Sequence, residues 1–223
     1  MKPVVIVNFK SYRRVLGRRG ATLARLAAQV ADERGVELYV APQLIDTSLL
    51  CEDSKLQIFA QHCDAVEGEA RTGRVTLDCL AEMGAKGLIL NHSEYPQTLE
   101  DVAQLTRKAL EVGLKTCLCV PDLVSLSRFE TNKIDFIAIE PPELIGGNLS
   151  VSRAKPDLLL KAFEYIDRKR GGSRKLCGAG IKTAEDVKIA KQLGAEGILV
   201  SSGVVLSDEP VKALDRLISG FFW

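Results

Sequence analysis

Several short polar or glycine-rich clusters in this chain stand directly behind apolar runs, and each carries atoms that could do chemistry. Asn8 and Lys10 follow VVIV, His92 sits in NHSE behind GLIL, Glu140 closes DFIAIE, and CGAG and SSG occupy 177–180 and 201–203. A carboxylate at the edge of an apolar pocket has its pKa raised, which suits Glu140 to act as a general base; pairing with an arginine or lysine is the plainer reading. Asn8 and Lys10 are two residues apart on a strand and point to one side. Lys10 is either a solvated strand-end lysine or, in a closed mouth, a cation for phosphate or an oxyanion. His92 could polarise a carbonyl, or serve as a structural histidine. His62, in AQHCD, is expected to be a loop histidine bonded to nearby backbone. The turns at Gly178-Ala179-Gly180 and Ser202-Gly203 leave backbone N–H groups uncovered, as a phosphate grip requires.

The stretch IEPPELIGGN at 139–148 adds mechanical character. Two prolines stiffen the exit from Glu140, and two glycines free the far end. Such a segment reads as a hinged lid beside a base, or as a tight loop. Glu143, three residues into it, is expected to be solvated.

These clusters need elements to hold them. Short apolar runs begin at 4–9, 37–41, 56–60, 87–91, 115–120, 135–140, 175–178 and 197–201, and each leads to an amphipathic or turn-forming stretch. Near-continuous apolar character marks strands covered on both faces. Eight strand–helix units predict an α/β fold, a (β/α)8 TIM barrel in a single domain over 1–223, with an open doubly wound sheet as the alternative. The unit around 122–136 is short, so one outer helix is expected to be reduced. In a barrel, all the clusters named above fall at the C-terminal ends of strands, where active sites lie.

Composition narrows the function class. The 223 residues are 46% hydrophobic and carry a net charge of +1, with both signs mixed. Nothing here points to nucleic acid or to a membrane surface, and no apolar run reaches the length of a membrane span. MKPVVIVNFK reads as a first strand without a cleavage pattern, so a cytoplasmic location is expected. The six cysteines form no CxxC; buried reduced thiols are the preferred reading and a zinc site the alternative.

Taken in order, NFK at 8–10, NHSE at 91–94, EPPELIGG at 140–147, CGAGI at 177–181 and SSGV at 201–204 resemble the triosephosphate isomerase family in its compact archaeal form. AQHCDAVEGEARTGRV at 60–75 and VSRAKPDLL at 151–159 extend the likeness over essentially the whole chain. The resemblance implies an isomerase of glycolysis and gluconeogenesis that interconverts dihydroxyacetone phosphate and D-glyceraldehyde 3-phosphate. It implies Glu140 as base, neutral His92 as electrophile and Lys10 as the cation, with Asn8 beside it. Ile145 and Gly146 of the lid, with Gly180, Ser201, Ser202 and Gly203, would hold the phosphate. No cofactor or metal is implied. Thr72 matches a threonine that reaches a neighbouring subunit, so a homo-dimer or homo-tetramer is expected. The tail Phe221-Phe222-Trp223 would be tucked under the barrel or used at an interface. The chain departs from the family's Ile-Gly-Thr-Gly at Ile145-Gly146-Gly147-Asn148, and Arg71 and Arg74 stand where smaller or neutral residues are usual.

Overall fold

The Val, Ile and Leu runs pair as parallel strands, because β-branched side chains suit a pleated surface buried on both faces. The computed structural model describes every residue except Glu69 and Arg170, and the backbone but not the side chain of Asn132. The strands are β1 (Val4–Asn8), β2 (Glu37–Ala41), β3 (Phe59–Ala60), β4 (Gly87–Leu90), β5 (Lys115–Val120), β6 (Phe136–Ile139), β7 (Arg174–Cys177) and β8 (Gly197–Val200). They hydrogen-bond in the order β2-β1-β8-β7-β6-β5-β4-β3. A parallel bridge between Val40 and Ile58 joins the two outer strands of that order and closes the ring. With β1 flanked by β2 and β8, this is a barrel and not the open sheet.

Strand alternation divides the core in two. Val4 and Ile6 face the barrel interior with Tyr39, Phe59, Ile89, Cys117, Cys119, Phe136 and Leu199. Val5 and Val7 face outward into the layer shared with the helices. Three rings fill the interior: Tyr39 lies 4.4 Å from Phe59 and 5.5 Å from Phe136, centroid to centroid. Truncating such a residue to alanine costs about 3–5 kcal/mol. Gly87 makes room for this plug, since a Cβ there would stand 2.6 Å from the Phe59 ring.

The outer layer is formed by α1 (Arg18–Arg34), α2 (Leu44–Cys51), α3 (Leu77–Glu82), α4 (Leu99–Glu111), α5 (Leu123–Ser127), α6 (Val151–Ala154), α7 (Pro156–Arg168), α8 (Ala184–Gln192), α9 (Ser202–Val205) and α10 (Pro210–Ser219). In α4, Val102, Leu105, Thr106 and Ala109 make the buried stripe at the spacing of one helix face. Capping boxes open α4 at Thr98–Asp101 and α8 at Thr183–Asp186. The helix after β5 is the reduced one, five residues long.

Three expectations need adjustment. The strand expected over 56–60 is regular only at Phe59–Ala60, because Ile58 reaches its neighbour through a single bridge. A separate short helix, α9, intervenes between β8 and the last long helix, which starts at Pro210. The C-terminal aromatics divide their roles: Phe221 is buried, while Phe222 and Trp223 are exposed, with the Lys188 ammonium 5.9 Å above the Trp223 ring.

Candidate active site

Asn8, Lys10, His92, Glu140, Ile145, Gly146, Gly180, Ser201, Ser202 and Gly203 all line one cleft at the C-terminal mouth of the barrel. Tyr12, Gly178, Ile181 and Lys182 line it with them. Residues up to 195 apart in sequence meet here, because each follows its own strand in a closed ring.

Backbone strain is concentrated at this mouth. Among the described residues, Lys10 (φ 46°) and Asn91 (φ 55°) are the non-glycine residues at positive φ. A left-handed backbone is uncommon for a side chain such as lysine and persists only where surroundings enforce it. The Lys10 N–H donates to Asn8 Oδ1 at 2.9 Å, so Asn8 braces the turn that presents Lys10. Asn91 is braced by a reciprocal pair with Gln97, at 2.8 and 3.0 Å, and its amide donates to the Cys119 carbonyl at 3.0 Å.

The chemical groups form a connected line. Lys10 Nζ donates to Glu94 Oε1 at 2.6 Å. The backbone N–H of Glu94 donates to His92 Nδ1 at 3.2 Å. Backbone N–H can only donate, so Nδ1 carries a lone pair and the proton of the imidazole sits on Nε2. His92 Nε2 in turn stands 3.8 Å from Glu140 Oε2. Both residues are buried, and Glu140 Oε2 has no hydrogen-bond partner among the described residues. Burial raises the Glu140 carboxyl above the usual glutamate range, with His92, the Cys119 thiol and Lys10 pulling the other way. Ser201 Oγ is a second buried atom in the cleft with no partner among those residues.

Small residues set the shape around these groups. A Cβ on Gly178 would lie 2.3 Å from Glu140 Cγ, so only glycine there lets the carboxylate take its seat. Gly180 (φ 71°) turns the backbone after β7, and α9 begins at Ser202. The first N–H groups of a helix have no acceptor within it, so those of Ser202 and Gly203 are available at the cleft wall.

The segment after Glu140 is stiff at its start, with a single 3-10 turn over Pro142–Leu144. Its far end is hydrogen-bonded to the loop after β7. Gly146 is left-handed (φ 71°), but Asn148 Oδ1 accepts from Lys182 Nζ at 2.7 Å and the Val151 N–H donates to the Ala179 carbonyl at 3.0 Å. Glu143 is exposed, as expected of a solvated carboxylate, and pairs with Lys155 at the surface. His62 also differs from expectation: its Nε2 faces Asp64 Oδ1 at 3.4 Å, its ring lies 4.0 Å from that of Tyr95, and its Nδ1 has no partner among the described residues. Arg71, Thr72 and Arg74 are all exposed, and Arg74 holds Asp64 at 2.9 Å.

Comparison with known proteins gives the family. The family model described as triosephosphate isomerase matches residues 3–217. The chain belongs to the triosephosphate isomerase family. It is 38% identical to the triosephosphate isomerase of Methanothermus fervidus, over 98% of this chain and 98% of that protein. It is 41% identical to that of Methanopyrus kandleri, over 98% of this chain and 97% of the relative. With that of Methanobacterium bryantii it shares 40% identity, over 97% of this chain and 96% of the relative.

Among triosephosphate isomerase motifs, NHSE also contains Glu94, to which sequence reasoning gave no role and which bonds both Lys10 and His92. Its spacing of two from His92 was the available signal. Gly178 was read only as part of a phosphate turn and Asp186 shows locally only a capping spacing from Thr183, because the partners that Gly178, Lys182 and Asp186 meet at the site lie on other strands and loops. Among the described residues, no group of three or more His, Cys, Asp or Glu is placed to hold a metal ion, and no helix is long and apolar enough to cross a membrane.

Proposed function

We propose that this chain interconverts dihydroxyacetone phosphate and D-glyceraldehyde 3-phosphate, with Glu140 moving the proton, His92 polarising the carbonyl and Lys10 balancing charge. The observation that carries this reading is the buried Glu140 carboxylate beside His92 Nε2 in one cleft with Lys10. Glu140 takes a proton from the carbon next to the substrate carbonyl. The electron pair moves into the new carbon–carbon double bond, and negative charge collects on the carbonyl oxygen. His92 Nε2–H and Lys10 are placed to stabilise that oxygen, where charge develops. Glu140 then returns the proton to the neighbouring carbon, while the hydroxyl proton moves between the two oxygens through His92. The sum is an isomerisation with no net gain or loss of atoms or electrons.

A neutral imidazole suits the electrophile better than a cation here. The bond from the Glu94 N–H keeps Nδ1 unprotonated, so the donor toward substrate is Nε2–H. Ile145 and Gly146 on one side, and Gly180, Ser201, Ser202 and Gly203 on the other, are read as the phosphate grip. Excluding water from the enediolate suppresses loss of its phosphate. The chain acts as one barrel domain, in the cytoplasm, as a homo-dimer or homo-tetramer in which Thr72 meets a neighbouring copy. Exposed Ile45 and Tyr95 beside the same mouth favour that covering.

The purified chain, assayed with D-glyceraldehyde 3-phosphate and a coupling enzyme that consumes dihydroxyacetone phosphate, is expected to turn over at catalytic rates. No turnover in a folded preparation would end the reading. Sedimentation showing a monomer at micromolar concentration would end the claim of an oligomer.

A further inference from the structure

We infer that Asp186 is a positioning residue for phosphate recognition: it ties the far hinge of the lid to the loop between β7 and α8, so that the two grip phosphate as one piece. The inference rests on the isomerase reading above and extends it to a residue outside the cleft.

Asp186 lies in the first turn of α8, where an ordinary capping carboxylate would serve only its own helix. Half of its work is of that kind. Oδ2 accepts from the Thr183 N–H at 2.8 Å, the Thr183 hydroxyl at 2.8 Å and the Lys182 N–H at 3.1 Å. The other half is directed elsewhere. Oδ1 accepts from the Ser150 hydroxyl at 2.9 Å and from Arg153 Nε at 2.7 Å, both from the segment that follows the lid. The Ser152 hydroxyl donates to the Asp186 carbonyl at 3.0 Å. Asp186, Ser150 and Ser152 are all buried.

A carboxylate taken out of water is costly unless its oxygens are filled, and five donors fill these. Burial works against the charge, yet the bonds from Thr183, Lys182 and Ser150 outweigh it and hold the carboxyl below the usual range. Ser150 is the N-cap residue of α6, but its side chain makes no capping bond to that helix. It is turned to Asp186 instead.

The two segments so joined touch at the phosphate end of the cleft. A Cβ on Gly180 would stand 2.2 Å from the Leu149 carbonyl oxygen, so the backbone at the lid's end rests on the turn after β7. Val151 N–H to Ala179 O and Lys182 Nζ to Asn148 Oδ1 run parallel to the Asp186 bonds. A shift of the hinge therefore moves Gly180, Ile181 and Lys182, all of which line the cleft. A displacement of about 1 Å at such a site costs on the order of a hundredfold in rate.

Asp186→Asn tests this, because one amide oxygen cannot accept on both sides. The measurement is kcat/KM for D-glyceraldehyde 3-phosphate and for D-glyceraldehyde, which has no phosphate, the slow second reaction being followed by NMR. We expect the variant to lose at least tenfold more on the phosphorylated substrate, mostly through KM, with inorganic phosphate inhibiting less strongly. Asp186→Glu should recover part of the loss. Ser150→Ala leaves the cap of α8 intact and should show the same bias at about threefold, which covers the case of Asp186→Asn failing to fold. Equal losses on the two substrates, or no loss, overturn the inference. Failure of the wild-type chain to isomerise the phosphorylated substrate would instead overturn the isomerase reading.

Discussion

Glu140 Oε2 and His92 Nε2 stand 3.8 Å apart, and that carboxylate oxygen is bonded to nothing else among the described residues. A buried carboxylate held next to a neutral imidazole, with one oxygen uncommitted, is poised to take a proton from something placed between them.

Glu140→Gln keeps the shape and removes the base. Its kcat is expected to fall by about two to four decades or more, while 2-phosphoglycolate, a phosphate-bearing mimic of the enediolate, still binds. Steady-state rates beside calorimetric titration check both. A loss under tenfold would remove Glu140 from the proton transfer.

The raised Glu140 carboxyl links pH to both rate and stability. The ionised form is the base, so kcat/KM should fall on acidification with a midpoint above the ordinary glutamate range. For stability the sign is opposite. At a pH between the unfolded and folded pKa values, the folded chain holds a proton that the unfolded chain has released. That contribution favours folding at low pH and is lost as pH rises through the folded pKa. Gln never ionises, so the thermal midpoint of Glu140→Gln should exceed that of wild type by a margin that grows with pH and then levels. For a chain of this size, 1 kcal/mol is about 2–4 °C. Parallel melting curves at all pH values would contradict the burial argument.

Gly178→Ala places a methyl 2.3 Å from Glu140 Cγ. The carboxylate must move, and kcat should drop by about a hundredfold for a displacement near 1 Å. A crystal structure of the variant should show Glu140 shifted from His92. Unchanged turnover would mean that the position of Glu140 in the wild-type chain is not the productive one.

Gly147→Thr restores the usual family residue. Gly147 is not left-handed, and the atom a Cβ there would meet first is the Leu144 carbonyl oxygen, at 3.1 Å. The freedom removed from the open loop is worth roughly 0.5–1 kcal/mol. Affinity for 2-phosphoglycolate should therefore rise, by no more than about fivefold. Weaker binding in titration would show that the contact with Leu144 cannot relax.

Much of this protein was legible before folding. Apolar runs of strand length, separated by amphipathic stretches, implied eight strand–helix units, and residues at strand ends share one face of a barrel. Asn8, Lys10, His92 and Glu140 were readable for that reason: each is positioned by the strand just before it. The relationships that tune them were not readable. Lys10 meets Glu94 across 84 residues, Asp186 meets Ser150 across 36, and Gly178 makes room for Glu140 from the neighbouring strand. His62 against Tyr95, and Glu143 against Lys155, belong to the same class. Local periodicity carries the direction of a side chain along its own element. Which side chains meet is set by strand order, register and closure of the ring, and those arise only when every element has packed against its neighbours.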